Sequence, residues 1–115
     1  MQIKTKRVYD EPAPDDGYRV LVDRLWPRGL SKDKARIDWW PKQIAPGTEL
    51  RKWFGHAPER FDEFAARYRS ELAANSKFDE FRQALSAHPV VTLLYAAHDT
   101  AHNQAVVLQQ ILMQR

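Results

Sequence analysis

The sequence predicts an α/β fold: a small open sandwich with a mainly parallel three- or four-stranded sheet flanked by helices. Two observations carry this expectation. Val90-Val91-Thr92-Leu93-Leu94-Tyr95-Ala96 is apolar without alternation and β-branched at its start. Such a run reads as a strand covered on both faces, and strands of that kind belong to parallel sheets. Between it and the N-terminal strands lie segments whose apolar residues recur at helical spacing, and these supply the covering layers.

Each element follows from local chemistry. Residues 3–9 read as a strand whose Lys4, Lys6 and Arg7 make it half-exposed, which suits a sheet edge. Pro12, Pro14 and Asp16-Gly17 make the next stretch a loop and turn. Residues 18–23 form a second strand with Val20-Leu21-Val22 at its centre. Trp26-Pro27-Arg28-Gly29 breaks the chain, and Ser31 is placed to cap a short helix over 32–36. Residues 37–40 are expected as a third strand, stopped by Pro41. Thr48 is expected to cap a helix over 49–54 that ends at Gly55.

Pro58 suits the first turn of a long helix in which Phe61, Phe64, Tyr68 and Leu72 form an apolar stripe. Ser76-x-x-Asp79 resembles a capping box for a helix that buries Phe78, Phe81 and Leu85. Asp99 is expected to cap a last helix running through Met113, apolar nearly all round and therefore deeply packed.

The 115 residues suit one domain, 1–115, with one core. With 43% hydrophobic residues, 4 glycines and 7 prolines, the composition is that of a globular chain rather than a disordered one. There is no cysteine, which removes disulfides, thiolate nucleophiles and cysteine-held metal centres. The N-terminal segment lacks a signal peptide's apolar core, and no apolar run is long enough to span a bilayer, so a cytoplasmic protein with no membrane partner is expected. The net charge of +3 lies wholly in residues 1–36, where nine Lys/Arg face six Asp/Glu. A local anion site accounts for this better than a nucleic-acid surface, which has a denser basic face and a groove-reading helix.

In open α/β sheets ligands bind beyond the carboxyl ends of the strands. That rule directs attention to the segments after Asp23 and after Ala96. In the first, Arg24 and Arg28 can grip an anion bidentately where a helix is about to begin, with Asp23 orienting a polar group and Trp26 as a stacking surface. The alternative pairs these arginines with Asp23, Asp33 or Asp99 as structural salt bridges and leaves Trp26 covering the core edge. In the second, Tyr95 can donate a hydrogen bond, His102 can move a proton, and Asp99 and Asn103 can hold the ligand. The alternative makes Asp99 a helix cap and Asn103 an anchor.

His98 and His102, four residues apart, have no further ligand or supporting shell in view, so neither a metal nor another cofactor is expected. Leu50-Arg51-Lys52-Trp53-Phe54-Gly55-His56 reads either as a lid over the pocket or as a helix that packs Trp53 and Phe54 inward.

The strings VDRLWPRGLSK and LRKWFGH, with TLLYAAHDTAHNQAVVL near the end, resemble the YeaO-like group within a large bacterial domain-of-unknown-function family. The likeness covers nearly the whole chain and implies a small α/β fold with no established activity. Another branch of that family carries Val-Asp-Val-Arg then Pro-Arg-Ser after an early strand, and Lys-Asp-Pro-x-x-Cys-His-Arg after a late one. The resemblance sets Asp23, Arg24, Pro27 and Arg28 against the first motif. Against the second it sets Asp99, with His102 and Asn103 where that branch has Cys and His. A thiol chemistry there is closed to this chain.

Three functions follow as expectations. The first is an enzyme or enzyme-derived pocket for a small anionic metabolite, phosphate- or nucleotide-like. The second is a non-catalytic sensor that uses the same pocket. The third is nucleic-acid binding through the basic N-terminal third, with Trp26, Trp39 and Trp53 as stacking surfaces, which lacks the support of a helix-turn-helix pattern. Oligomeric state is not readable from the sequence.

Overall fold

The computed structural model describes residues 1–114. Strands β1 (Gln2–Arg7), β2 (Tyr18–Leu21) and β3 (Val90–Tyr95) form one sheet in the order β1-β3-β2, parallel throughout. The apolar run is thus the central strand and the lysine-bearing one an edge. Among the described residues five α-helices accompany the sheet: α1 (Lys32–Ala35), α2 (Thr48–Phe54), α3 (Phe61–Ala73), α4 (Phe78–Leu85) and α5 (Gln104–Met113).

Alternation along β2 sends its neighbours to opposite layers. Val20 and Val22 join the larger core with Val91, Leu93, Phe64, Tyr68, Phe81 and Leu108, while Leu21 joins Val8 and Leu94 on the other face under Trp26, Leu30 and Trp40. α5 packs on β1, β3 and α3, which explains its nearly uniform apolarity.

The turn into β2 is fixed by a buried ion cluster. Arg19 Nη1 and Lys6 Nζ reach the Asp16 carboxylate at 2.5 and 3.2 Å, and the rest of the Arg19 guanidinium donates to the carbonyls of Ala35 and Arg36. Burial pushes the Asp16 carboxyl up, but the Ala13 N–H, Lys6 and Arg19 together hold it below the usual carboxylate range. Gly17 has φ 66°, and a Cβ there would lie 2.4 Å from the Val90 carbonyl oxygen. Only glycine lets the turn pass this close to the central strand.

Four local expectations are corrected. Residues 37–40 do not form a strand: only Trp39 bridges Val20, because Asp38 turns its carboxylate back to accept the Arg19 N–H and Pro41 stops the chain. Thr48 is the first residue of α2 rather than its cap, which is Gly47. Ser76 caps nothing; Asn75 lies one residue earlier and takes the Lys77 N–H at 2.9 Å while anchoring to the Gln43 carbonyl. Asp99 is not the cap of α5. Asn103 is, accepting from Val106 N–H at 3.1 Å, because Asp99 closes a separate turn ahead of the helix.

Candidate functional site

Beyond the carboxyl ends of β2 and β3 lies a cavity of about 610 Å³, within the usual range for small-molecule sites. Three segments supply most of its lining, with Tyr9, Pro46 and Phe64 completing it. The 23–28 loop leaves β2, the 96–104 segment leaves β3 and enters α5, and the 51–56 segment closes the side with Arg51 and Phe54 of α2 and His56 just beyond it. The β3 exit is tied down from the sheet edge, where Arg7 donates to the carbonyls of Ala97 at 2.9 Å and Ala96 at 3.3 Å.

Asp23 sits at the floor. One carboxylate oxygen accepts the Ala96 N–H at 2.8 Å and the other accepts from the Gln104 amide. Its carbonyl accepts from Trp40 Nε1 at 2.7 Å. Burial pushes the Asp23 carboxyl up to about 6, against the pull of Ala96, Gln104 and the nearby Arg51.

The arginines differ in their attachments. Arg24 is half-buried and donates from Nε to the Pro46 carbonyl at 3.1 Å and from Nη2 to the Ala45 carbonyl at 3.0 Å. Arg28 and Arg51 are exposed at the rim. None of the three takes part in an ion pair among the described residues, whose pairs use other cations. The salt-bridge alternative for Arg24 and Arg28 therefore fails: Arg24 is held by carbonyls, and the Arg28 carbonyl accepts from Tyr9 OH at 2.9 Å.

Trp26 covers the edge of the smaller core. It lines the cavity and also meets Trp40 edge-on at 5.4 Å, its Nε1 donating to the Leu30 carbonyl. The 50–56 segment packs: Phe54 is buried and stacks on Phe64 with centroids 4.2 Å apart, while Trp53 lies beneath the guanidinium groups of Arg60 and Arg67.

His102 lines the cavity with a half-exposed ring, its Nδ1 2.9 Å from Asp99 Oδ2 and its edge against Phe61. Asp99 also accepts the N–H groups of Ala101 and His102, and these bonds, with the His102 ring, hold its carboxyl below the ordinary range. Asp99 itself does not line the cavity; it stands behind His102. Tyr95 does not line it either. Its ring is buried in the core next to Asn103, and burial, with Asp10 adding to it, raises its phenol. Asn103 lines the cavity but is buried and occupied, capping α5 and donating to the Asp99 carbonyl at 2.9 Å.

Asp23, Arg24, Trp26, Arg28, His102 and Asn103 are thus gathered around one space. Arg51, Phe54 and His56, from the 50–56 segment read as a lid or a packing helix, share it too, and so does Gln104, which the sequence reading had not singled out. Gln104 had a signal: counted from Asp99, the Cys-His of the related motif falls on Asn103 and Gln104 rather than on His102 and Asn103. His56 had another, following Gly55 at the end of a helical pattern; both residues take positive φ, 55° and 58°, where the chain reverses beside the cavity. Among the described residues no group of three or more His, Cys, Asp or Glu is placed to hold a metal ion, and no helix is long and apolar enough to cross a membrane.

Comparison with known proteins agrees with the fingerprint strings. An uncharacterised protein of Mycobacterium tuberculosis, Rv3073c, is 48% identical over 111 residues, covering 96% of this chain and 93% of its own. The uncharacterised protein YeaO of Escherichia coli is 44% identical over 108 residues, covering 94% of each. No solved structure matches. A family model described as the inactive DUF488-N3 subclade matches residues 2–115. By that match and by its YeaO-like relatives, the chain belongs to the inactive DUF488-N3 subclade of this domain-of-unknown-function family.

Proposed function

We propose that the protein binds a small anionic metabolite, phosphate- or nucleotide-like, in the cavity beyond β2 and β3, and binds it without turnover. The observation that carries the reading is the convergence of Arg24, Arg28 and Arg51 on one space with no carboxylate paired to any of them among the described residues. Arg24 is partly occupied by the carbonyls of Ala45 and Pro46, but the exposed guanidinium groups of Arg28 and Arg51 favour an anion that takes two parallel N–H donors. The N-terminal charge excess supports the same reading. Lys4, Lys6 and Arg19 are consumed by Asp15 and Asp16, which leaves the loop at 24–28 as the basic part nearest the cavity. The description of the subclade as inactive and the want of any cysteine favour binding over catalysis.

Thermal unfolding with inorganic phosphate and a set of phosphorylated metabolites tests this. A rise in Tm that disappears in the double variant Arg28→Gln, Arg51→Gln supports it. No rise with any anion, or a rise the double variant keeps, removes it. Nucleic-acid binding is the weaker alternative because Trp26, Trp39 and Trp53 are engaged in packing against Trp40, Phe81 and the Arg60–Arg67 pair.

One observation favours a second reading, acid–base turnover. The Asp99–His102 contact holds an imidazole at the cavity wall with a carboxylate behind it, the arrangement that orients a general base. Any ligand found by unfolding is to be incubated with the protein and recovered. Chemical change that is lost in His102→Ala selects this reading, and unchanged ligand rejects it.

A further inference from the structure

The cavity is dipolar, and from that we infer that its ligand is a zwitterion, an anion whose other end carries an ammonium group that Asp23 receives. The inference rests on the anion-binding reading above and assigns the opposite end of the same site. Three arginines line the cavity, and Arg28 and Arg51 are exposed at its rim. Asp23 is recessed at the floor and is the one Asp or Glu among the lining residues. An anion lying deep enough to fill the space brings like charge toward that carboxylate, a repulsion that a simple phosphate has nothing to offset. A ligand with a cation at its inner end turns the repulsion into attraction and keeps its anion on the arginines.

The hydrogen bonding of Asp23 leaves room for this. An ionised carboxylate has about four lone-pair sites, and the Ala96 N–H and Gln104 amide occupy two, one on each oxygen. Those two donors fix the carboxylate in place without saturating it. Pro46, Phe54 and Phe64 add apolar surface to the lining, which suits a ligand whose two charges are joined by a short hydrocarbon body. Amino acids phosphorylated on the side chain and aminoalkyl phosphates have this chemistry. A charge-assisted bond to a fixed, partly desolvated carboxylate gives about tenfold in affinity.

Phosphoethanolamine and n-propyl phosphate test the assignment, because they differ only in the replacement of the ammonium by a methyl group. Each is titrated at pH 7.5 into ¹⁵N-labelled protein, with inorganic phosphate as the third probe, and dissociation constants are read from amide shifts at residues 23–28 and 96–104. The expected result is phosphoethanolamine at least about tenfold tighter than propyl phosphate. In Asp23→Asn the preference disappears while propyl phosphate binds as well or better, and in Arg28→Gln both weaken with their ratio kept. Propyl phosphate equal to or tighter than phosphoethanolamine on the wild-type protein overturns the zwitterion and leaves the anion reading standing. No shift with any of the three probes ends both. Should Asp23→Asn fail to fold, the wild-type pair of constants decides alone.

Discussion

The Gln104 side-chain amide, on the first residue of α5, donates to the Asp23 carboxylate at the exit of β2, joining segments 81 residues apart in the chain. Together with the Ala96 N–H, it makes the floor of the cavity a meeting point of β2, β3 and α5. The amide stabilises the ionised form of Asp23, so its worth depends on whether Asp23 is ionised. Gln104→Leu is expected to cost about 1–3 kcal/mol at pH 8 and clearly less at pH 5, where the carboxyl carries its proton. Urea unfolding at the two pH values measures the difference. An equal loss at both would mean that the amide matters for packing alone.

Asp23 also gives the protein a pH dependence of a definite sign. Its carboxyl titrates at about 6 in the folded chain against 3.8 for the ordinary residue. Between those values the folded state keeps a proton that the unfolded state has released. The stabilising contribution of the neutral carboxyl is complete below pH 4 and is lost as pH rises through 6. Allowing for solvent at a half-buried group, the loss is on the order of 1–2 kcal/mol. Asp16 and Asp99 act in the opposite sense: their carboxyls are held below 3.8, and their contribution is lost only as the solution becomes more acidic than that. Asp23→Asn is therefore expected to flatten the fall in stability between pH 4 and 7 while leaving the acid limb intact. Denaturation midpoints across the range would show it, and an unchanged slope would place the proton elsewhere.

Arg24 and Arg28 look interchangeable in the sequence and are not so in the fold. Arg24 satisfies the buried carbonyls of Ala45 and Pro46 and so holds the start of the chain leading into α2. Arg24→Ala strands both carbonyls and is expected to cost about 1–3 kcal/mol. Arg28 is exposed, and Arg28→Ala is expected to stay within about 0.5 kcal/mol of the parent. Chemical denaturation of the pair checks this. Equal stabilities would mean the carbonyls find water instead.

These contrasts mark how far the sequence could be read. The central strand and the stripes of α3 and α4 were legible because their burial imposes a local period: Val90–Tyr95 is closed on both faces, and Phe64, Tyr68 and Leu72 repeat at helical spacing. Helix starts were less so: Asp99, Ser76 and Thr48 all look like caps, yet α2 and α4 begin at Gly47 and Lys77 with no side-chain cap, and of the three only α5 has one, from Asn103. Around the cavity, residues at strand exits such as Asp23 and His102 could be named from topology. Arg51 and His56 were reachable only through the lid alternative for the 50–56 segment, because nothing local says that this segment folds back over the ends of β2 and β3. Tyr95 was drawn into the site by its place at a strand end, whereas strand alternation points its ring into the core.

Gly17 couples the first turn to the central strand. Its φ of 66° with ψ of −135° is a conformation that side chains avoid, and an added Cβ would meet the backbone of Val90 rather than a movable side chain. Gly17→Ala must therefore displace either the turn holding Asp16 or the start of β3, and it is expected to cost about 3 kcal/mol or more. Gly29 also has positive φ, 77°, but faces open space, so Gly29→Ala carries the dihedral penalty alone, about 1 kcal/mol. Thermal or urea unfolding of the two variants separates collision from conformation. Equal losses would show that Val90 yields.

The Asp99–His102 contact fixes which nitrogen of the ring meets the cavity. An ionised Asp99 accepts at Oδ2, so the ring presents Nδ1–H to it across 2.9 Å and carries its lone pair on Nε2. The backbone bonds from Ala101 and His102 hold Asp99 still, so the preference is built in before any ligand arrives. Long-range ¹H–¹⁵N spectra are expected to show the Nδ1–H tautomer predominating in the unprotonated ring. In Asp99→Ala, which removes the acceptor, the ring should return to the Nε2–H form that free histidine prefers. The tautomer matters for what the cavity can take: an unprotonated Nε2 accepts a hydrogen bond from a ligand hydroxyl or ammonium, and a protonated one only donates. A wild-type ring already in the Nε2–H form would mean that Asp99 serves the turn alone, and would leave His102 a donor to the anion beside Arg28 and Arg51.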